Sequence, residues 1–144
     1  MPALPHPHLI ALRMAATVLL SAVIAQAGWA SAMLGGESRY APFHQVGAWV
    51  TMGVAVLAAL TYVVLRRSAG PVNLWLAVGL VVAIAVQIAL GETGQRAPHI
   101  FWGVLVAMLA TALTSWTYRH KMPETEGTEE AEEGPGEVLG EVRN

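Results

Sequence analysis

The sequence contains no cysteine. That removes disulfides, zinc–cysteine sites, iron–sulfur clusters and a covalently attached c-type haem, so any metal chemistry must rest on histidine, methionine or carboxylate. Charge is scarce as well: 12% of the 144 residues are charged and 55% are hydrophobic. That is too apolar for a soluble domain of this length. Charge is missing altogether from residues 15–25, 48–65, 74–90 and 100–118. Runs of this length read as membrane spans.

The predicted spans cover residues 9–34, 43–65, 72–90 and 98–118, each near the ~20 residues that a bilayer core demands. A spanning segment must satisfy its own backbone groups, so four helices follow. The links are short, about nine residues around 35–42, five or six around 66–71 and seven around 91–97. Short links make neighbours antiparallel. The expected fold is all-α and integral to the membrane, an up-down four-transmembrane-helix bundle built from two repeated helix pairs.

The few charges are segregated. Residues 1–122 hold seven Lys/Arg and two Glu, a net of +5; residues 123–144 hold eight Glu and one Arg, a net of −7. The division is a transmembrane domain, 1–122, and an acidic, disordered tail, 123–144. Arg13, Arg66, Arg67, Arg119 and Lys121 fall on one side of the spans and only Arg39 and Arg96 on the other. By the positive-inside rule the N terminus, the second link and the tail are cytoplasmic, in a multi-pass cell-membrane protein. Trp29 and Trp102 are expected near the outer boundary, Trp75 and Trp116 near the inner one, and Trp49 deeper. Ala30-Ser31-Ala32 resembles a signal-peptide cleavage site, but the apolar stretch before it is longer than the usual apolar region of a signal peptide, and its removal would leave three helices and break the repeat.

One string occurs twice. GESRYAPFH, residues 36–44, and GETGQRAPH, residues 91–99, align without a gap at an offset of 55 residues and share G-E-[ST]-x5-H. Both copies fall on the outer edge. His44 opens the second span and His99 the fourth, helices that run in the same direction and lie diagonally across an up-down bundle. Their imidazoles can therefore converge at one depth. A lone histidine at a span end more often sits harmlessly in the interface, as His6, His8 and His120 are read; two at matched positions point to a shared ligand site. Two neutral imidazoles with no other ligand cluster suit the iron of a non-covalently bound b-type haem, which takes one axial nitrogen on each face. Arg39 and Arg96 are placed to meet its propionates, since a guanidinium makes paired hydrogen bonds to a carboxylate. Glu37 and Glu92, each seven residues before its histidine, are the candidate acid–base groups. Each has an alternative partner in the arginine of its own loop. Gly36 and Gly91 are expected to end helices, and Gly47, Gly53, Gly79 and Gly103 to mark close packing.

At these residues the chain resembles a known family. Leu34-Gly35-Gly36-Glu37-Ser38-Arg39 is similar to the LGG-x-[ST]-R signature that closes the first helix of heme A synthases, and Gln87-Ile88-Ala89-Leu90-Gly91 to their Q-[IV]-x-LG stretch. Those enzymes are generally eight-helix proteins made of two four-helix halves, each with a haem position between histidines on its second and fourth helices. Residues 9–120 resemble one half, and some members of the family are themselves of half size. The resemblance places His44 and His99 at the paired ligand positions. It implies haem O as substrate and haem A as product, with hydroxylation of a haem methyl group as the reaction. It transfers unevenly, because the family's catalytic glutamate sits in E-x-x-H and the residue three before His44 is Ala41; the Arg that usually follows the histidine is Gln45, and the cysteine pair of many bacterial members is absent.

The expectation is thus a membrane haem protein of the heme A synthase-like type, acting in electron transfer as a small cytochrome b or in haem A formation. Its expected partners are the lipid bilayer, haem, a terminal oxidase or haem-biosynthesis proteins, and a second copy of itself; no nucleic acid is expected. Two rivals belong to other classes: a non-catalytic assembly factor or subunit of a respiratory oxidase, and a small four-helix transporter. The transporter would need a membrane-embedded acid to couple protons, and both glutamates before the tail lie in predicted links.

Overall fold

The computed structural model describes residues 6–121, so the acidic tail, including the whole segment 123–144, lies outside the described residues. Four helices dominate: α1 (Pro7–Leu34), α2 (Ala41–Val64), α3 (Pro71–Glu92) and α4 (Arg96–Arg119), each long and apolar enough to cross a membrane. No strand occurs among the described residues. Pro7, Pro42 and Pro71 stand in the first two positions of their helices. A helix start leaves those N–H groups unpaired in any case, so proline sacrifices nothing there and its fixed φ favours the turn.

Two helix ends close in the same way. Gly36 takes φ 97° and Gly94 φ 69°, and the following N–H groups reach back five residues, Glu37 to Ala32 O and Gln95 to Leu90 O, both at 3.0 Å. This is the Schellman arrangement, in which a left-handed residue pairs the last helical carbonyls. The left-handed glycine of the second copy is therefore Gly94. Gly91, expected to end the helix, lies inside α3, which continues through Glu92. Two links are shorter than expected: residues 35–40, with one 3-10 turn, Ser38–Tyr40, precede α2, and three residues separate α3 from α4; the second link, residues 65–70 with the helical turn Arg66–Ala69, has the expected length.

α1 packs against α2 and α4, and α3 against the same two, so α2 and α4 stand diagonally across the bundle. Neighbours run antiparallel: Tyr62 near the end of α2 reaches Leu12 near the start of α1, and Thr114 near the end of α4 reaches Ala16 of α1. Each helix buries one narrow stripe at spacings of three and four, such as Leu12, Ala16, Leu19 and Val23 in α1 and Val106, Ala110, Leu113 and Thr117 in α4. Residues so spaced share a helix face. The remaining apolar surface points outward, with Trp75 71% and Val64 76% exposed. Contiguous apolar exposure of this kind needs an apolar surrounding.

The core is confined to one half of the bundle. Buried positions stop at Val23 in α1 and Ile84 in α3 and begin at Val106 in α4; in α2 only Gly47 precedes Thr51. In the packed half, nearest the Arg66–Ala69 turn, four helices are tied by buried polar groups. The Tyr62 hydroxyl meets Leu12 O at 3.2 Å and Thr117 Oγ1 at 2.6 Å, Thr117 Oγ1 donates to Asn73 Oδ1 at 3.4 Å, and Asn73 Nδ2 donates to Ala69 O at 2.9 Å. Every member of this chain is paired, which makes it a source of specificity rather than a liability.

Of the glycines expected at close contacts, two are. A Cβ on Gly47 would collide with Gln26 Nε2 and the Trp29 ring, and one on Gly103 would lie 3.1 Å from Gln87 Nε2. Gly53 and Gly79 face open space. Trp29 and Trp102 pack against neighbouring helices: Trp29 covers Gly47, and Trp102 donates Nε1–H to Ala83 O at 2.8 Å. Trp49 is 59% exposed on the outer surface of the bundle.

Candidate functional site: a cavity between two histidines

The hollow half of the bundle holds the site. His44 is the fourth residue of α2 and His99 the fourth of α4, so the 55-residue repeat keeps its register at both helix starts. The diagonal placement of these helices brings the two rings together, with centroids 6.2 Å apart and planes crossed at 87°. Both histidines line two adjoining cavities of about 480 and 380 Å³. The larger opens at the α3–α4 link, between Leu90 and Arg96; the smaller descends into the bundle toward Thr51 and Val106. Ala27, Ala30, Ala48, Gly103 and Ala107 keep its walls thin.

The two rings are held differently. His99 Nδ1 lies 2.9 Å from the main-chain oxygen of Gln87, and because a carbonyl only accepts, this nitrogen carries the proton. In the neutral ring Nε2 then keeps its lone pair and accepts from Gln87 Nε2 at 3.2 Å. A hydrogen bond from the far nitrogen is the usual device that fixes which imidazole nitrogen is free to ligate. His44 Nδ1 is buried and makes no hydrogen bond of good geometry to the described residues, although the main-chain oxygen of Gln26 lies near the ring. Both amide atoms of Gln26 and Oε1 of Gln87 are likewise buried and unpaired, and both glutamines line the smaller cavity.

The four loop residues separate into two pairs of unlike position. Arg96 and Glu92 line the mouth of the larger cavity. Glu37 and Arg39 line neither cavity: they pair with each other at 3.1 Å, with Arg39 also 5.1 Å from the Tyr40 ring centroid. The glutamates are also not equivalent in the backbone, since Glu37 follows the left-handed Gly36 whereas Glu92 is the last residue of α3 and precedes Gly94. The 3-10 turn Ser38–Tyr40, found only in the first copy, absorbs the difference.

Gln26 was not singled out by motif reading, and Gln87 only as part of a signature. The available signal was an uncharged amide set in an otherwise apolar run, since a polar group at that depth tends to be functional. No group of three or more His, Asp or Glu able to hold a metal ion occurs among the described residues. No protein-family model, curated protein or solved structure matches this chain.

Proposed function

We propose that the chain is a four-span integral membrane protein that binds a b-type haem between His44 and His99, with both histidines at the outer face and both termini cytoplasmic. The observation that carries this reading is the 6.2 Å spacing of the two rings on diagonal helices, within the walls of both cavities. A metal ion ligated on opposite sides by two imidazole nitrogens at about 2.0–2.1 Å holds the ring centres about 6 Å apart. The combined cavity lies within the range of roughly 300–1,000 Å³ common for cofactor sites. Its lining is largely aliphatic, as a porphyrin needs, and the unpaired polar atoms of His44, Gln26 and Gln87 indicate a cavity made to receive a group with polar contacts.

In this reading Gln87 O fixes the His99 proton on Nδ1, His99 ligates through Nε2 once the Gln87 amide gives up the bond it makes there, and His44 supplies the second nitrogen. Arg96 at the cavity mouth meets a propionate. The haem, when bound, supplies one-electron chemistry, and the protein supplies an apolar enclosure that excludes water from it. The function is electron transfer or haem handling of the heme A synthase-like type, serving a terminal oxidase. If the chain also acts on haem O, Glu92 is the better placed acid–base group, because it lines the cavity and Glu37 does not. Ala41 at the first position of α2, where the family has its glutamate, favours haem holding over methyl hydroxylation.

The test is a reduced-minus-oxidised spectrum of the protein purified in mild detergent. A low-spin b-type band that is lost in His44→Ala and in His99→Ala supports the assignment. Absence of bound haem after expression with ample haem supply refutes it.

A further inference from the structure

The smaller cavity has walls of two kinds. Its lining from α2 and α3, including Ala48, Thr51, Ile84 and Ile88, is buried or half-buried. Its lining from α1 and α4 includes Ala27, Ser31 and Leu34 on one helix and Ile100 and Val104 on the other, and all five are exposed. A residue that borders an interior cavity and the exterior at once stands at an opening. Spacings of three and four keep each set on one helix face. The two sets are therefore the two edges of a slot between α1 and α4.

The seams between helices explain why the opening falls there. At the packed end α1 and α4 are tied together. Arg13 donates to Tyr118 O at 3.3 Å, Thr17 Oγ1 lies 3.1 Å from the Tyr118 hydroxyl, and Thr114 donates to Ala16 O at 3.4 Å. Among the described residues the side-chain hydrogen bonds between these two helices reach no further than Thr17 and Thr114. In the half that holds the histidines, Trp29 fills the α1–α2 seam, covering Gly47 with its ring 6.3 Å from that of Phe43. Trp102 and the Gln87–His99 contacts close the α3–α4 seam. To the α1–α4 seam, α1 brings only the small Ala27 and Ser31 at this level, and a Cβ on the adjacent Gly28 would meet nothing within 4 Å.

We propose that this slot is the route by which haem passes between the bilayer and the two histidines. The inference rests on the haem and membrane readings above. Haem is an amphiphile, an apolar macrocycle with two carboxylates on one edge. The larger cavity opens beside Glu92, Gln95 and Arg96, and the slot adjoins it on the apolar flank. Sideways passage keeps the propionates at the level of that polar mouth and the macrocycle in lipid, so no charge is carried through hydrocarbon. Passage through the mouth would first take the apolar ring out of the bilayer into water, giving up its burial.

The chain has no cysteine, so a single introduced thiol can be blocked with a bulky maleimide and the same protein compared before and after. Ser31→Cys and Val104→Cys place the thiol on the slot, and Gln95→Cys places it at the mouth. Each apoprotein, labelled or unlabelled in detergent, is reconstituted into phosphatidylcholine vesicles and given haemin. The rate at which the low-spin band appears is read, and then the rate at which haem is lost to excess apomyoglobin. A blocked route slows entry and exit alike and leaves the affinity as it was. Labelling at positions 31 and 104 is expected to slow both rates by about 10-fold or more with the final spectrum and affinity retained, and labelling at position 95 to leave them within about twofold. Rates unchanged at the slot, rates slowed at position 95 instead, or an altered affinity at the slot overturn the lateral route. The haem reading survives those results if the wild type forms a low-spin band that His44→Ala and His99→Ala abolish. A wild-type protein that takes up no haemin overturns both.

Discussion

Gly47 of α2 leaves the space in which the Gln26 amide of α1 lies: a Cβ at position 47 would collide with Gln26 Nε2 and with the Trp29 ring. The contact sits one turn from His44, so it joins helix packing to the candidate site. Gly47→Ala must displace either the amide or the indole, and overpacking of this kind costs about 1–3 kcal/mol. Gly53→Ala and Gly79→Ala meet nothing within 4 Å, and replacing glycine in a helix removes backbone freedom from the unfolded chain. Those two are expected to shift stability by less than about 1 kcal/mol, in the stabilising direction. Thermal unfolding of the three variants in one detergent checks this; equal melting temperatures would remove the packing role assigned to Gly47.

Tyr62 is the hub of the opposite end. Its hydroxyl meets Leu12 O and Thr117 Oγ1 in a fully buried position. Tyr62→Phe keeps the ring and deletes both bonds. Helix–helix hydrogen bonds within membranes contribute about 0.6 kcal/mol on average, and orphaning a buried partner adds to the loss. A destabilisation of about 1–2 kcal/mol is expected. Since Tyr62 lies at the packed end, away from the cavities, haem uptake by the folded variant is expected to match wild type; a loss of uptake without a loss of stability would contradict that separation.

The sequence made the four long apolar helices legible, because chargeless runs near 20 residues have few other readings. It also made the histidine pair legible, because a repeated string places both rings at the start of parallel helices, and each is indeed the fourth residue of its helix. Less was legible where the backbone departs from the repeat. Glu37 and Glu92 align in sequence, yet one follows a left-handed glycine and the other ends a helix, because a single 3-10 turn shifts the cap by three residues. Nor does periodicity indicate which residue a buried amide will face. The Tyr62–Thr117 bond joins positions 55 residues apart, and Gln26 becomes notable only once its lack of a partner is seen in three dimensions.

That shift of the cap makes a prediction of its own. Gly36 and Gly94 hold positive φ, a conformation that costs a residue with a Cβ about 1–2 kcal/mol. Gly36→Ala and Gly94→Ala are therefore expected to destabilise by that amount, with the larger effect at Gly36, where φ reaches 97° and departs further from the left-handed minimum. Gly91→Ala differs in kind: the backbone there is helical, but the new Cβ would lie 3.0 Å from Cε1 of His99. Its expected effect is on the haem spectrum rather than on the melting temperature. Melting curves and difference spectra of the three variants, recorded side by side, separate a turn defect from a site defect.

The arginines divide in the same way, and here the structure parts two residues that the sequence placed together. Arg96 lines the larger cavity beside His99. Arg39 lines neither cavity, its side chain is 72% exposed, and it is occupied by Glu37 and the Tyr40 ring. If a haem propionate points toward the loop end, Arg96 is the residue that meets it. A hydrogen bond to a charged group contributes about 1.5–3 kcal/mol, so Arg96→Gln is expected to weaken haemin binding roughly 10- to 100-fold, at about 1.4 kcal/mol per decade. Arg39→Gln breaks only an exposed ion pair, a contact that contributes about 0–1 kcal/mol, and is expected to leave the affinity within about threefold. The loss in Arg96→Gln should also shrink as ionic strength rises, because the mouth of the cavity is open to solvent and salt screens the arginine–propionate attraction that the variant lacks. Haemin titrations of both variants at low and high salt measure this directly. Equal losses at Arg39 and Arg96 would restore the symmetric arrangement, with both arginines reaching the propionates.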